Sequence, residues 1–429
     1  MRRATTRCAA LGLAAAVALA AGACSQIGGG GEDESVTITL GVGTVDTVAE
    51  AIVEAFEEAH PDIDVEIETM ADEAQTRTRL ASGDLPDLFA ANSGSYFHSL
   101  DPAEHFVPLT DEAFMERVDP AFQEVVTSGD DVYGVPWKGI VGGGFMYSRA
   151  IYDALGLEIP RTWDEFMANN AAISEAGITP VIQTYGEPWT AQMPLLANYF
   201  NVQSQVPDFA ESYTANEVHF SDTPEALEGF ENIQAIHDAG YQNENFASAA
   251  YEDGLVMLAE GEGAHYPILS YAIATIAQTH PDAVGDLGMF PVPGRSADVH
   301  GMTMWMPAGL YIPTSSDHVE EAKTFLEFLV GAEGCDVVNA QGDGGLGPQP
   351  IADCPLPEDA PQVSLDVESY LQDPETYSLA LEYLSPVKGP ALAQICVEVG
   401  SGTRTAVSGA ELYDEDVEKQ AQQLGLEGW

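Results

Sequence analysis

The sequence predicts an α/β protein of two lobes, each with its own β-sheet and core. Its 429 residues, 45% of them hydrophobic, are enough to bury two such cores. Two stretches, 36–90 and 179–268, combine strand and helix patterns, and a strand, helix, strand order produces parallel strands through a right-handed crossover. Between them stands Gly142-Gly143-Gly144, where the backbone is free to bend between two rigid bodies.

The first lobe is predicted from its apolar periodicity and its helix start signal. An alternating strand spans 36–42, and the next helix is predicted to begin with Thr47 as N-cap and Glu50 three residues later. A second strand alternates with acidic residues over 63–67, and a third is predicted within 83–90. These elements together predict one sheet with helices packed on it.

The later elements continue in the same way. They are predicted as a helix opened by the capping box of Thr162 and Glu165, strands at 179–183 and 264–268, helices at 223–239 and 255–263, a strand from Trp305 to Pro313, and a helix capped by Asp317. Residues 361–429 are predicted to be helical and to pack on the second lobe.

Residues 131–166 carry the most specific motif of the chain. Its residues are Tyr133 to Pro136, Tyr147, Gly156 and Pro160 to Phe166. This pattern resembles the passage between the lobes in the extracellular solute-binding proteins of ABC importers, in the sugar-binding family of the maltose-binding-protein type. Segments 83–90 and 290–294 are similar to other elements of that family, so the resemblance covers most of residues 36–347.

The resemblance implies two discontinuous lobes of the type II periplasmic-binding-protein kind, each with a mixed sheet flanked by helices. Hinge crossings near residues 140, 304 and 347 would join them. The implied N-terminal lobe comprises 36–140 and 305–346, and the implied C-terminal lobe comprises 141–304 and 347–429.

The N-terminus is predicted to be a secretory leader. Residues 1–23 combine a basic start with an apolar, alanine-rich run that is too short for a good membrane span. The ending before Cys24 resembles a lipobox, although Ala21 stands where leucine is usual, and this implies a lipid anchor on Cys24. Residues 24–35 would be a flexible tether. The expected location is the outer face of the cell membrane, with plain secretion as the alternative.

The charge balance excludes some partners. The chain has 69 acidic and 14 basic residues, for a formal net charge of −55. Binding to nucleic acid or to an anionic lipid surface requires clustered Lys and Arg, so neither partner is expected. Such acidity suits a saline habitat, where salt screens the self-repulsion, and an acidic secreted protein of ordinary habitat is the alternative.

Three cysteines remain after Cys8 and Cys24, so at most one disulfide forms among them. We expect Cys335 to pair with Cys354, since the two flank a glycine-rich loop, which leaves Cys396 as a buried free thiol. Pairing of Cys335 with Cys396 is the alternative. The spacing does not favour zinc, and no metal or other cofactor is expected.

The predicted ligand site follows from two rules. In open α/β sheets a ligand lies beyond the carboxyl ends of the strands, and a sugar requires flat aromatic surfaces together with polar groups. These rules select Thr44, Asp46, Asn92, Ser93, Trp137, Lys138, Glu187, Trp189, Tyr266 and Trp305. Asp46 could instead cap a helix, Tyr266 could belong to the core, and Lys138 could be solvated.

No catalytic motif stands out, because G-x-S-x-G, H-E-x-x-H and phosphate-binding glycine loops are missing from the sequence. Together with this absence, the resemblance to the sugar-binding family implies a monomeric binding protein, not an enzyme, that captures a saccharide and delivers it to the permease of an ABC importer. The alternatives are a binding protein for a polyamine, a compatible solute or a metal chelate, and a secreted carbohydrate-active enzyme.

Overall fold

Two β-sheets covered by helices organise the chain in the computed structural model. The structure describes residues 35–70, 73–341, 347–426 and 428–429. The predicted leader, Cys24, nearly all of the tether and most of the loop at 344–347 lie outside the described residues.

Thirteen strands are present in the described part of the chain. They are β1 (Val36–Val42), β2 (Ile63–Thr69), β3 (Leu88–Ala91), β4 (Thr127–Ser128), β5 (Asp131–Val132), β6 (Gly134–Trp137), β7 (Val141–Ser148), β8 (Thr179–Val181), β9 (Gly263–Leu269), β10 (Leu287–Phe290), β11 (Met302–Trp305), β12 (Ala308–Tyr311) and β13 (Tyr377–Leu379). The first sheet has the order β2-β1-β3-β12-β6, and the second has the order β13-β11-β7-β9-β8 with β10 also paired to β7. Strands β4 and β5 form a separate hairpin.

Both sheets are mixed. In the first sheet β1 runs parallel to β2 and β3, whereas β12 runs antiparallel to β3 and β6. In the second sheet β7 is antiparallel to β9, β10 and β11, and β8 is parallel to β9. The predicted α/β class with two mixed sheets is therefore confirmed.

The α-helices cover these sheets. They are α1 (Thr47–Ala59), α2 (Glu73–Ser82), α3 (Ser95–His98), α4 (Pro102–His105), α5 (Pro120–Val125), α6 (Arg149–Leu155), α7 (Trp163–Glu175), α8 (Met193–Leu196), α9 (Tyr199–Gln205), α10 (Phe209–Thr214), α11 (Pro224–Asp238), α12 (Tyr251–Ala259), α13 (Ala272–Thr279), α14 (Val319–Leu329), α15 (Ala332–Ala340), α16 (Gln362–Leu371), α17 (Leu381–Leu384), α18 (Leu392–Gly400) and α19 (Ala406–Leu424). Within the described ranges, three short 3-10 helices occupy Ala113–Arg117, Pro188–Gln192 and Pro281–Asp286.

Helix starts test the capping predictions. The capping box of Thr162 and Glu165 is present at the start of α7, so that prediction is confirmed. The prediction for α1 was wrong by one residue, because Asp46, and not Thr47, accepts the backbone N–H of Ala49 at 3.0 Å. The prediction for α14 was also wrong, since the residue before it is His318, whose side chain makes no cap hydrogen bond.

The predicted strand from Trp305 to Pro313 is two strands in different sheets. Strand β11 pairs with β7 and β13, whereas β12 lies between β3 and β6. Pro307 lies between the two strands and has no N–H to offer a ladder, which favours a break here. Trp305 therefore belongs to the second sheet, and the first sheet resumes only at Ala308.

Two segments of the chain pack backbone against backbone near residues 140 and 347. The N–H of Ile140 donates to the carbonyl of Pro348 at 2.8 Å. A Cβ on Gly347 would overlap the carbonyl oxygen of Ile140, and a Cβ on Gly139 would overlap the carbonyl of Gly347. Only glycine permits this approach at either position.

Cysteine pairing is resolved in the described chain. Cys335 and Cys354 form a disulfide, with their Cα atoms 5.8 Å apart, and Cys396 is a buried free thiol. The bridge joins α15 to the segment that follows Gly347.

A buried histidine joins the second sheet to its helices. His265 is fully buried, with Nδ1 2.8 Å from the carbonyl oxygen of Pro180 and Nε2 2.7 Å from the hydroxyl of Tyr152. The neutral tautomer with the proton on Nδ1 satisfies both contacts, because Nδ1 then donates to the carbonyl and Nε2 accepts from the hydroxyl. Burial lowers the pKa of His265 from 6.5 to about 3.

We expect this histidine to make the protein less stable in acid. In the unfolded chain the histidine binds a proton below about pH 6.5, whereas in the folded chain it does so only below about pH 3. As the pH is lowered from 6.5 to 3, the free energy of unfolding therefore falls by up to ~1.4 kcal/mol per pH unit. Urea unfolding at a series of pH values should show a shallower dependence in His265→Gln. Parallel curves for the two proteins would contradict this.

Candidate functional site

A polar cleft near the crossings lies at one edge of the first sheet and has a volume of about 550 Å³. Residues after β1 and β3 line one side, and the crossings at 137–141 and 306–308 form the floor. Tyr271, just after β9, reaches the cleft from the second sheet. This placement agrees with the rule that ligands bind beyond the carboxyl ends of strands.

An ion pair stands in the cleft. The Asp46 carboxylate receives the Ala49 N–H through Oδ1, and its Oδ2 pairs with the ammonium of Lys138. Lys138 adopts a left-handed backbone conformation with φ of 77°, which is uncommon for a residue with a side chain. Its Nζ lies 6.0 Å from the centre of the Trp137 ring. Backbone strain of this kind is often retained at ligand sites.

Two of the predicted polar residues are also at the cleft and exposed. Thr44 follows β1, and Asn92 follows β3. Ser93 is different, because it is buried and donates a hydrogen bond of 2.9 Å to the carbonyl of Pro307. Ser93 therefore supports the floor and does not face a ligand.

Aromatic rings line the same space. Trp137 is 6% exposed yet borders the cleft, and Tyr96 lies on the first-sheet side with the Arg77 guanidinium 5.4 Å from its ring centre. Tyr271, which is 37% exposed, was missed by the sequence reasoning. Its position after β9 is the signal that could have found it, since the rule used for Asn92 applies to that strand too.

Three predicted residues from the second sheet are used in internal contacts. The Glu187 carboxylate accepts the indole N–H of Trp189 at 3.0 Å and the backbone N–H of Tyr251 at 3.1 Å. The hydroxyl of Tyr266 lies 2.7 Å from Thr184 Oγ1, and its side chain is 1% exposed. None of the three predicted residues lines the cleft described above, and burial raises the pKa of Tyr266 above its ordinary value.

Trp305 also lies away from the cleft. Its indole N–H donates to Glu382 Oε1 at 2.6 Å, and its ring fills the space that a side chain on Gly143 would need. It borders a small cavity of about 30 Å³, which has room for about one water molecule. Trp305 was predicted to offer a flat surface to a sugar, but the structure places it away from the cleft. Its strand joins the second sheet, and its ring packs there.

Two sheets joined by crossings, with a polar and aromatic cleft at those crossings, define a two-lobed solute-binding protein. The chain belongs to the family of bacterial extracellular solute-binding proteins, whose sequence pattern matches residues 42–334. The family's members are extracellular, which gives this chain an extracytoplasmic location. No helix in the described ranges is both long and apolar enough to cross a membrane.

Known proteins resemble the chain in sequence and in fold. The multiple sugar-binding protein of Streptococcus mutans is 26% identical over 299 residues, which cover 67% of this chain and 69% of that protein. A chitin oligosaccharide binding protein shares the fold with a TM-score of 0.74 at 21% identity, covering 91% of this chain and all of that one. RafE in complex with raffinose has a TM-score of 0.73 at 20% identity, covering 88% and 98% of the two chains.

Proposed function

We propose that the protein captures a saccharide in this cleft. The observation that carries the proposal is the meeting of Trp137, Tyr96 and Tyr271 with the exposed polar side chains of Thr44 and Asn92. Aromatic faces cover the C–H surfaces of a sugar ring, while the amide and hydroxyl groups bind its hydroxyls. The relatives named as sugar-binding proteins support the same ligand class.

The electrostatics of the cleft favour an uncharged ligand. Lys138 is the one Lys or Arg among the described residues that line it, and the Asp46 carboxylate already compensates its charge. A phosphorylated or carboxylated sugar would face the strongly acidic protein with little positive charge to meet it. A neutral saccharide needs only hydrogen bonds and aromatic contact.

Capture is proposed to serve import. The two sheets would mark two lobes that divide at the crossings near 140, 304 and 347, with Trp305 on the second lobe. A ligand that touches both lobes favours the closed form through its differential contacts. The monomeric protein, held outside the membrane by lipid on Cys24, would then deliver the sugar to the permease of an ABC importer, without chemistry on the ligand.

Thermal unfolding against a panel of neutral saccharides tests the ligand class. A ligand that binds only the folded state stabilises it by about 2.7 kcal/mol at one hundred times its Kd, which raises the midpoint by about 3 °C when roughly 400 residues unfold together. The protein without residues 1–24 should respond to one class of sugar in high salt. A response only to a polyamine, an osmolyte or a metal chelate would refute the saccharide.

The same sugars test the absence of chemistry on the ligand. After long incubation with the protein we expect each oligosaccharide to be recovered intact by chromatography. Hydrolysis products in molar excess over the protein would identify it as an enzyme instead.

A further inference from the structure

The crossing that forms the floor of the cleft is held by a segment that follows β13. Along this segment the backbone N–H of Ala380 donates to the carbonyl of Met304 at 2.9 Å. Glu382 then accepts the indole N–H of Trp305 at 2.6 Å, and the hydroxyl of Tyr383 donates to the carbonyl of Met306 at 2.9 Å. Three consecutive residues of the crossing are thus held by a short stretch of chain that does not line the cleft.

Tyr383 also reaches the other side of the cleft. Its ring and backbone cover the space beside Gly94, which adopts φ of 71° and leaves no room for a side chain. Ser93 follows the cleft residue Asn92 directly and donates to Pro307 in the floor. One phenol therefore joins the loop that carries Asn92 to the crossing.

Glu382 is fixed in turn by an ion pair. Lys388 Nζ lies 3.1 Å from Glu382 Oε2, while Oε1 receives the Trp305 indole. Both oxygens of this carboxylate are occupied, so its orientation is set from two directions. Because this ion pair is half-exposed, it adds little to the stability of the fold. Its main effect is to orient the Glu382 carboxylate.

We propose that Glu382 and Tyr383 are positioning residues of the ligand cleft. They fix the peptide of Met306 and Pro307 relative to Asn92 and connect the second sheet to the first-sheet side of the cleft. Ligand affinity and the relative placement of the two sheets then depend on two side chains that do not line the cleft. The part that concerns affinity rests on the proposed function.

Affinity for the sugar found in the thermal panel is the first test. Tyr383→Ala removes the hydroxyl and the ring, and we expect it to weaken binding about tenfold or more. Tyr383→Phe keeps the ring against Gly94 and loses only the hydrogen bond to Met306, for a loss of about two- to tenfold. Glu382→Gln keeps an acceptor for Trp305 and should bind more tightly than Glu382→Ala.

Tyr370→Phe is the matched control. Tyr370 also has a hydroxyl hydrogen bond, at 3.0 Å to His300, in a part of the fold that does not line the cleft. We expect it to change the unfolding midpoint but not the Kd. If the Tyr383 variants likewise change only the midpoint, their role is structural and the proposal fails.

A ligand-free measurement separates this inference from the proposed function. Spin labels on cysteines placed at the exposed positions Glu58 and Glu175 report the distance between α1 and α7. We expect Tyr383→Ala to shift or broaden the distance distribution and Tyr370→Phe to leave it unchanged. If no sugar binds the unmodified protein, the proposed function fails, and the distances still decide the inference. An unchanged distribution in Tyr383→Ala overturns it.

Discussion

Trp137→Ala is expected to abolish most saccharide binding, with a loss of at least ~2 kcal/mol, or about 30-fold in Kd. The indole borders the cleft beside Lys138 and offers the largest flat surface there. Removing it takes away the aromatic contact and the support of the ion pair between Asp46 and Lys138. Isothermal calorimetry on the folded variant, well below its unfolding midpoint, measures the change.

A second buried tryptophan supplies the control for this prediction. Trp163 is 4% exposed and packs against Phe166 and Arg295, away from the cleft, whereas Trp137 is 6% exposed. Both alanine variants should lose ~3–5 kcal/mol of stability, and only Trp137→Ala should lose affinity. Equal affinities in the two variants would show that Trp137 does not touch the ligand. Trp137→Phe, which keeps a ring, provides a milder test if the alanine variant does not fold.

Gly347→Ala is expected to cost ~3 kcal/mol or more of folding stability. A Cβ at this position would overlap the carbonyl oxygen of Ile140, and that oxygen belongs to a rigid backbone crossing and not to a flexible side chain. Relief requires the two backbone segments to separate, which also breaks the hydrogen bond from Ile140 to Pro348. Urea unfolding gives the loss of free energy.

Gly285→Ala is the comparison for this substitution. A Cβ on Gly285 would meet nothing within 4 Å, and its backbone does not require a positive φ. Its effect should stay within about 0.5 kcal/mol. A similarly small effect of Gly347→Ala would mean that the crossings can separate at little cost.

Local signals allowed much of the fold to be predicted. The capping box of Thr162 and Glu165 acts within four residues, so neighbouring sequence is enough to identify it. The alternation in 36–42 buries Ile38 and Leu40 in the hydrophobic core, as the pattern indicates. Sheet membership is different, because it depends on pairing between distant segments. The pattern over 305–313 showed extended chain but could not show that β11 and β12 join different sheets.

The same distinction applies to the candidate site. Thr44, Asp46 and Asn92 were predicted from their positions after strands, and the structure places all three at the cleft. The direction in which an aromatic side chain points depends on the distant residues that pack against it. Trp305 lies over Gly143 on the paired strand, and Tyr266 is directed at Thr184. The residues next to Trp305 and Tyr266 in the sequence do not reveal either contact.

The strand order also constrains how the chain can fold as it is made. Strand β12 lies between β3 and β6, so β6 has no neighbour in its sheet until residues 308–311 have left the ribosome. In the same way, β7 cannot pair in the second sheet until its partners β9, β10 and β11 have been synthesised. Long-range pairing of this kind folds slowly and leaves apolar strand edges open in the meantime. A chain with this topology that works outside the cytoplasm is therefore suited to crossing the membrane before its sheets close.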